Sequence, residues 1–200
     1  QTWARSTLTC AIEVRKTLAT FGLAVLDACK KGRCPRLRYV DVGANLGDCA
    51  LASVASVPEG SLHAIAVDGD PRVIQVLQET IAANGLDGSP VSSNSSQGRT
   101  VVKTKLALIS DEVQDARIMP LIGGGISMYS FNHSHIMGAT ADRIPITTLD
   151  ETLRDFGGAY GADVVSVFAQ HGMEMPCLRG AKEVLRRNAV GCWLIMCSID

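Results

Sequence analysis

Two hundred residues with 46% hydrophobic and 20% charged side chains suit one globular domain with a sizeable core, far from the disordered class. Nineteen basic against twenty acidic residues give a formal net charge of −1. That balance removes the case for nucleic acid or an anionic membrane as an obligatory partner and fits a small-molecule site better.

No apolar run reaches the roughly 18 residues that span a bilayer, so no membrane span is expected. No signal peptide is legible, which sets the expectation of a cytoplasmic protein, although a start at Gln1 rather than Met leaves room for an upstream segment. Seven cysteines stand at positions 10, 29, 34, 49, 177, 192 and 197. An odd count without a C-x-x-C pair favours reduced, buried thiols over a disulfide framework, with Cys29–Cys34 as the one pairing considered. Two N-x-S patterns, at Asn94 and Asn132, are chance occurrences unless the protein is secreted.

Apolar residues recur at helical spacing over residues 6–31, and Lys30-Lys31-Gly32 is a helix stop, with cations in the last turn and then glycine. This predicts a leading helix and linker over 1–36, followed by one domain over 37–200. A buried strand at 37–42 runs through Asp41-Val42-Gly43-Ala44-Asn45-Leu46-Gly47 into a helix over 46–57. A second strand at 61–67 precedes Asp68-Gly69-Asp70-Pro71, where proline suits the first turn of a helix and Asp70 its N-cap. That helix closes at Asn84-Gly85.

Residues 86–99, rich in Ser, Gly and Asn, read as a surface loop, and 100–108 as a third strand. Residues 111–143 show little regular pattern and are assigned as a lid or substrate wall. Their His133-x-His135 has no Cys or carboxylate cluster beside it, so no metal is expected. A short extended segment at 144–149, a short helix from Asp150, a strand at 163–168, a helix after Gly172 to about residue 188 and a last apolar strand at 192–199 complete the chain. Strands alternating with helices predict an α/β domain with a doubly wound, mostly parallel, Rossmann-like sheet. The chain stops inside an apolar strand, so the sheet is expected to be truncated after its fifth strand.

In such a sheet, ligands bind outside the carboxyl ends of the strands. A nicotinamide site there normally shows G-x-G-x-x-G, whereas here the spacing is Gly43-x-x-x-Gly47. Gly43 removes a Cβ where a ligand would come close. Asp68, at the tip of the second strand, suits the two hydroxyls of a ribose. Asp41 either caps the following helix or faces the ligand. The short glycine loop and the acids at 41 and 68 favour an adenosyl ligand without phosphates. Ala107, near the end of the third strand, is either an adenine wall or a core alanine.

Taken in order, these elements resemble the FkbM-type family of S-adenosylmethionine-dependent methyltransferases, with a class I methyltransferase fold. The matching pieces are Asp41 to Gly47; Asp68-Gly69-Asp70-Pro71, where the family has Glu-Pro-Asn-Pro; Ile81-Ala82-Ala83-Asn84-Gly85-Leu86; Gly125-Ile126-Ser127; Ile146-Thr147-Thr148-Leu149-Asp150; and Leu178-Arg179-Gly180-Ala181. The resemblance implies binding of S-adenosyl-L-methionine by Asp41, Gly43, Asn45, Gly47, Asp68 and Ala107, with Asp41 at the methionine end. It also implies O-methylation of a hydroxyl on a small molecule or glycan. The family's K-I-D-V-E-G-A-E signature falls on residues 167–174, where Val167, Ala169 and His171 replace the lysine, the central aspartate and the glutamate. Either His171 and Glu174 have taken over the acid–base work, or the chain is a non-catalytic S-adenosylmethionine-binding or scaffold relative.

Overall fold

The sheet is built outward from β1 (Leu37–Val42), whose residues pair in parallel with β2 (Leu62–Asp68) on one side and β7 (Ala162–Val167) on the other. In this computed structural model, which describes residues 2–33, 35–88, 100–112, 114–119, 142–154, 161–168 and 174–195, β3 (Val101–Leu106) and β8 (Val190–Ile195) extend the sheet in parallel. The order β3-β2-β1-β7-β8 is that of a doubly wound α/β domain, and it reverses direction between β1 and β7. The strand register therefore places the chemistry of β1, β2 and β7 at one crevice.

Side-chain alternation divides the core between the two faces of the sheet. On one face Tyr39, Ala64, Ala66 and Val164 meet α1 (Thr2–Lys30), α2 (Asp48–Val54) and α3 (Pro71–Ala83) through Val14, Leu18, Ala50 and Leu77. On the other, Val40, Val42, Val67 and Val167 meet α4 (Leu149–Arg154), α5 (Glu174–Arg179) and α6 (Lys182–Arg186) through Leu149, Leu153, Cys177 and Val184. Burial on both faces explains why these strands read as continuous apolar runs. Among the described residues, no helix is long and apolar enough to cross a membrane.

Several local expectations change. The helix after the glycine loop begins two residues late, at Asp48, because Asn45 and Gly47 both adopt positive φ. Part of the stretch expected to be irregular is a strand: β5 (Gln114–Met119) pairs antiparallel with β6 (Asp142–Thr147), and β6 also takes the short β4 (Leu108–Ile109). The β5–β6 register shifts where Pro145 lies, since proline lacks the N–H the ladder needs.

The helix expected after Gly172 is two helices, α5 and α6, broken at Gly180-Ala181. A Cβ on Gly180 would collide with the Ser110 carbonyl oxygen, so the backbone must pass there without a side chain. Cys29 and Cys49 are disulfide-bonded, against the expectation of reduced thiols, while Cys177 and Cys192 are free. A cysteine count is blind to which thiols packing brings within bonding range. The loop at 89–99, the stretch at 120–141 with Gly125-Ile126-Ser127 and His133-x-His135, and residues 169–173 with His171 lie outside the described residues.

Candidate functional site

The turn after β1 is shaped by positive φ at three alternate residues: Gly43 at 77°, Asn45 at 48° and Gly47 at 86°. Asparagine tolerates this region better than most residues, and glycine reaches it without cost. At Gly47 the requirement is also steric, because a Cβ there would strike Leu77 Cδ1 of α3. The Gly43 and Ala44 amides both donate to the Val67 carbonyl, at 2.9 and 3.0 Å, so the loop is stitched to the end of β2.

The same stitching brings Asp68 to the loop. Its Oδ2 accepts from the Asn45 amide at 2.8 Å and its Oδ1 from the Asp70 amide at 2.9 Å. Asn45 thus contributes through its backbone. Burial raises the Asp68 carboxyl above its ordinary value, the Asp70 and Asn45 amides pulling the other way. Asp68 is half-buried, and each carboxylate oxygen keeps a second lone pair after one amide bond. A vicinal diol could therefore still be accepted there.

Asp70 is committed elsewhere. It N-caps α3 through the Arg72 amide at 2.9 Å and pairs with the Arg72 guanidinium at 2.7 Å, as the Asp-Pro sequence predicts. Burial works against its charge, but the Arg72 contacts win and lower its pKa.

Beneath the loop lies a polar chain that the sequence reading missed. Asp41 and Tyr39 alternate on the same face of β1, and the parallel register sets Asp41 beside Ser166 of β7. The Ser166 hydroxyl donates to Asp41 Oδ1 at 2.7 Å, and the Tyr39 hydroxyl lies 2.6 Å from Ser166 Oγ. With the serine proton committed to Asp41, the tyrosine is left as donor to Ser166 Oγ.

Asp41 is 1% exposed, and its Oδ2 is buried without a hydrogen-bond partner among the described residues. Burial pushes the Asp41 carboxyl up to about 6, against the stabilising Ser166, Tyr39 and Ala50 contacts. Burial and the Asp41 charge raise the Tyr39 phenol well above its ordinary value. A buried carboxylate oxygen without a partner demands an explanation, either a proton or a cationic ligand. The only sequence trace of this chain was a serine inside the apolar strand Val164-Val165-Ser166-Val167.

The remaining expected residues divide. The Ala107 amide donates to the Asp68 carbonyl at 2.9 Å, which places its backbone at the crevice, but its side chain is 3% exposed within the cluster on the opposite face. Glu174 opens α5, is 6% exposed, and has Oε1 without a partner among the described residues. It lies near Cys177, whose thiol is pushed up to about 12 by burial and then by the Glu174 charge. Cys177 belongs to the face opposite Asp41, whereas Glu174 stands at the start of α5, the helix that follows the carboxyl end of β7. Val167, where the family signature has lysine, is a core valine.

Two of the sequence motifs are joined in space. The Thr148 hydroxyl accepts from the Glu151 amide at 3.2 Å, which caps α4. The Asp150 carboxylate then accepts from the Glu183 and Val184 amides at 2.9 and 3.0 Å, which caps α6, while the Asp150 amide donates to the Gly180 carbonyl at 3.1 Å. The segments Thr147-Thr148-Leu149-Asp150 and Leu178-Arg179-Gly180-Ala181 therefore form one structural clasp on the face away from the glycine loop.

No protein-family model and no curated protein matches the chain. Its structure is similar to that of the methyltransferase FkbM from Methylobacillus flagellatus KT, with 14% identity over 76% of this chain and 30% of that one and a TM-score of 0.49. It is also similar to the precorrin 8W decarboxylase of Methanobacterium thermoautotrophicum (15% identity, 87% of this chain, 61% of that one, TM-score 0.40). A third is the SAH-bound methyltransferase PaMTH1 of Podospora anserina (14% identity, 94% of this chain, 65% of that one, TM-score 0.40). The chain spans less than two thirds of the length of each. These likenesses concern fold alone, and the doubly wound assignment stands on the strand order of this chain.

Proposed function

We propose that residues 37–200 form a domain that binds S-adenosyl-L-methionine in the crevice between β1, β2 and the glycine loop, and that it serves O-methyl transfer to a hydroxyl on a small molecule or glycan. The observation that carries the reading is the pair of acids at adjoining strand ends: Asp68 held by two loop amides, and Asp41 buried with one oxygen lacking a partner. The residues fit this cofactor. Asp68 suits the ribose hydroxyls, Asp41 the cationic methionine end, and Gly43 a close approach of backbone to ligand. Gly47 keeps the turn tight against α3, and we assign the backbone of Ala107, whose amide donates a hydrogen bond to the Asp68 carbonyl, to the adenine side. The amides of Gly43, Ala44, Asn45 and Gly47 are already engaged within the protein, and the short glycine spacing likewise speaks against a pyrophosphate cradle.

The bound cofactor would supply an electrophilic methyl group on a sulfonium, open to in-line attack by an oxygen nucleophile with the thioether as leaving group. The chain's own work is then alignment, which can supply up to ~7–11 kcal/mol, and removal of the hydroxyl proton, typically worth ~10²–10⁴-fold. We assign proton removal to His171 and Glu174, the ionisable residues of the altered signature. The Oε1 of Glu174 is buried with no hydrogen-bond partner among the described residues, which leaves it open to one from a ligand.

A second reading, a non-catalytic cofactor-binding or scaffold protein, is favoured by Val167 in the core and by Ala169 where the signature has aspartate. Calorimetric titration should show micromolar binding of S-adenosyl-L-methionine, weakened about tenfold, or about 1.4 kcal/mol, in Asp68→Ala. No binding by the intact chain contradicts the proposal. Methyl transfer to a panel of hydroxyl compounds, abolished in His171→Ala, selects the catalytic reading; binding without turnover across the panel selects the scaffold.

A further inference from the structure

The helix α1 carries two apolar stripes, and only one is used by the fold. Val14, Leu18 and Val25 face the core. Ile12, Ala19, Leu23 and Leu26 fall within about 60° of one another on the helical wheel, on a side turned away from the first stripe. Ile12 is 41%, Leu23 69% and Leu26 40% exposed. The stripe opens onto a shallow groove of about 430 Å³ between α1 and α2, floored by Ile12, Ala19 and Ala55, with Arg15 and Lys16 at its rim.

Positive charge is concentrated on this helix and the segment that follows it. Residues 12–36 carry six cations and two acids, a local net of +4 in a chain of overall charge −1. Both acids are bound in ion pairs, Glu13 with Lys16 at 2.8 Å and Asp27 with Lys31 at 2.6 Å. Arg15, Lys30, Arg33 and Arg36 have no ion pair among the described residues.

We propose that this outer stripe of α1 and its groove form a docking surface for a bilayer containing anionic lipids. Aliphatic side chains on one line, Arg15 and Lys16 on either side of it, further cations at and beyond its carboxyl end and a length of about 43 Å suit a helix that lies in the lipid interface rather than crossing it. The groove matches one anionic amphiphile, with apolar floor for a chain and Arg15 and Lys16 for its headgroup. A second copy of this chain is disfavoured, because two such faces would bring like charges together. The near-neutral total charge conceals this surface, since the excess is local.

The test is co-sedimentation of the full chain with vesicles of phosphatidylcholine alone or mixed with phosphatidylserine. Binding should be at least tenfold tighter to the mixed vesicles and should fall steeply with added salt, as roughly fivefold per engaged cation implies. The double variant Leu23→Gln/Leu26→Gln should lose about tenfold, and Lys30→Gln about fivefold. Both leave the buried stripe untouched, so unchanged far-UV circular dichroism verifies the fold. Equal binding to both vesicle types, or none, overturns the proposal. So does anionic binding that the leucine and lysine variants leave unchanged, or sedimentation as a dimer that Leu23→Gln/Leu26→Gln dissociates.

Discussion

Burial pushes the Asp41 carboxyl from 3.8 up to about 6, so the folded state holds this proton more tightly than the unfolded chain does. Stability is therefore greatest below pH 4 as far as this group is concerned, and it is lost as pH rises through 6. The shift corresponds to about 3 kcal/mol. Asp68, also raised, acts in the same direction. Denaturant unfolding from pH 4 to pH 7 should show a falling contribution in this window, and Asp41→Asn should flatten most of it; an unchanged slope in the variant would show that Asp41 is not the buried acid described. At this scale the sequence was partly legible. Asp41 and Asp68 stood out because charges inside apolar runs need partners. Tyr39 and Ser166 did not, because their meeting depends on the register between β1 and β7, which no local pattern encodes.

Among the elements, the first four strands of the main sheet were legible to within a residue or two at each end and the last to within two at its start, since burial on both faces writes them as short apolar runs bounded by turns. The breaks were harder. Residues 173–188 keep a helical period throughout, yet Gly180 passes so close to the Ser110 carbonyl that the helix divides there. The second helix survives because Asp150, from a distant part of the sequence, caps it. Asp150→Ala should therefore cost about 0.5–2 kcal/mol in denaturant unfolding, although the residue is remote from the glycine loop. Cofactor affinity should be unchanged in this variant, whereas a change there would mean that the clasp reaches the crevice. The strand β5 was missed because its pairing with β6 is irregular at Pro145, so neither segment shows clean alternation.

For the whole molecule, the strand order places the acids of β1 and β2 and the hydroxyl of β7 at the point where the sheet reverses, which is why a short glycine loop suffices to define the crevice. Cys29 and Cys49 are held in a disulfide state, which is rare where thiols are kept reduced. Alkylation of the unfolded chain followed by mass spectrometry should label Cys177 and Cys192 directly and Cys29 and Cys49 only after reduction; direct labelling of all four would contradict the disulfides. The central claim is that the crevice binds an adenosyl ligand through Asp68 and a cationic methionine end through Asp41. Its most direct test is calorimetric titration of S-adenosyl-L-methionine between pH 5 and pH 7. Ionisation of Asp41 near 6 predicts roughly tenfold tighter binding at pH 7 than at pH 5 in the native chain and a nearly flat profile in Asp41→Asn. A pH-independent affinity in the native chain, or the same rise in Asp41→Asn, would contradict it.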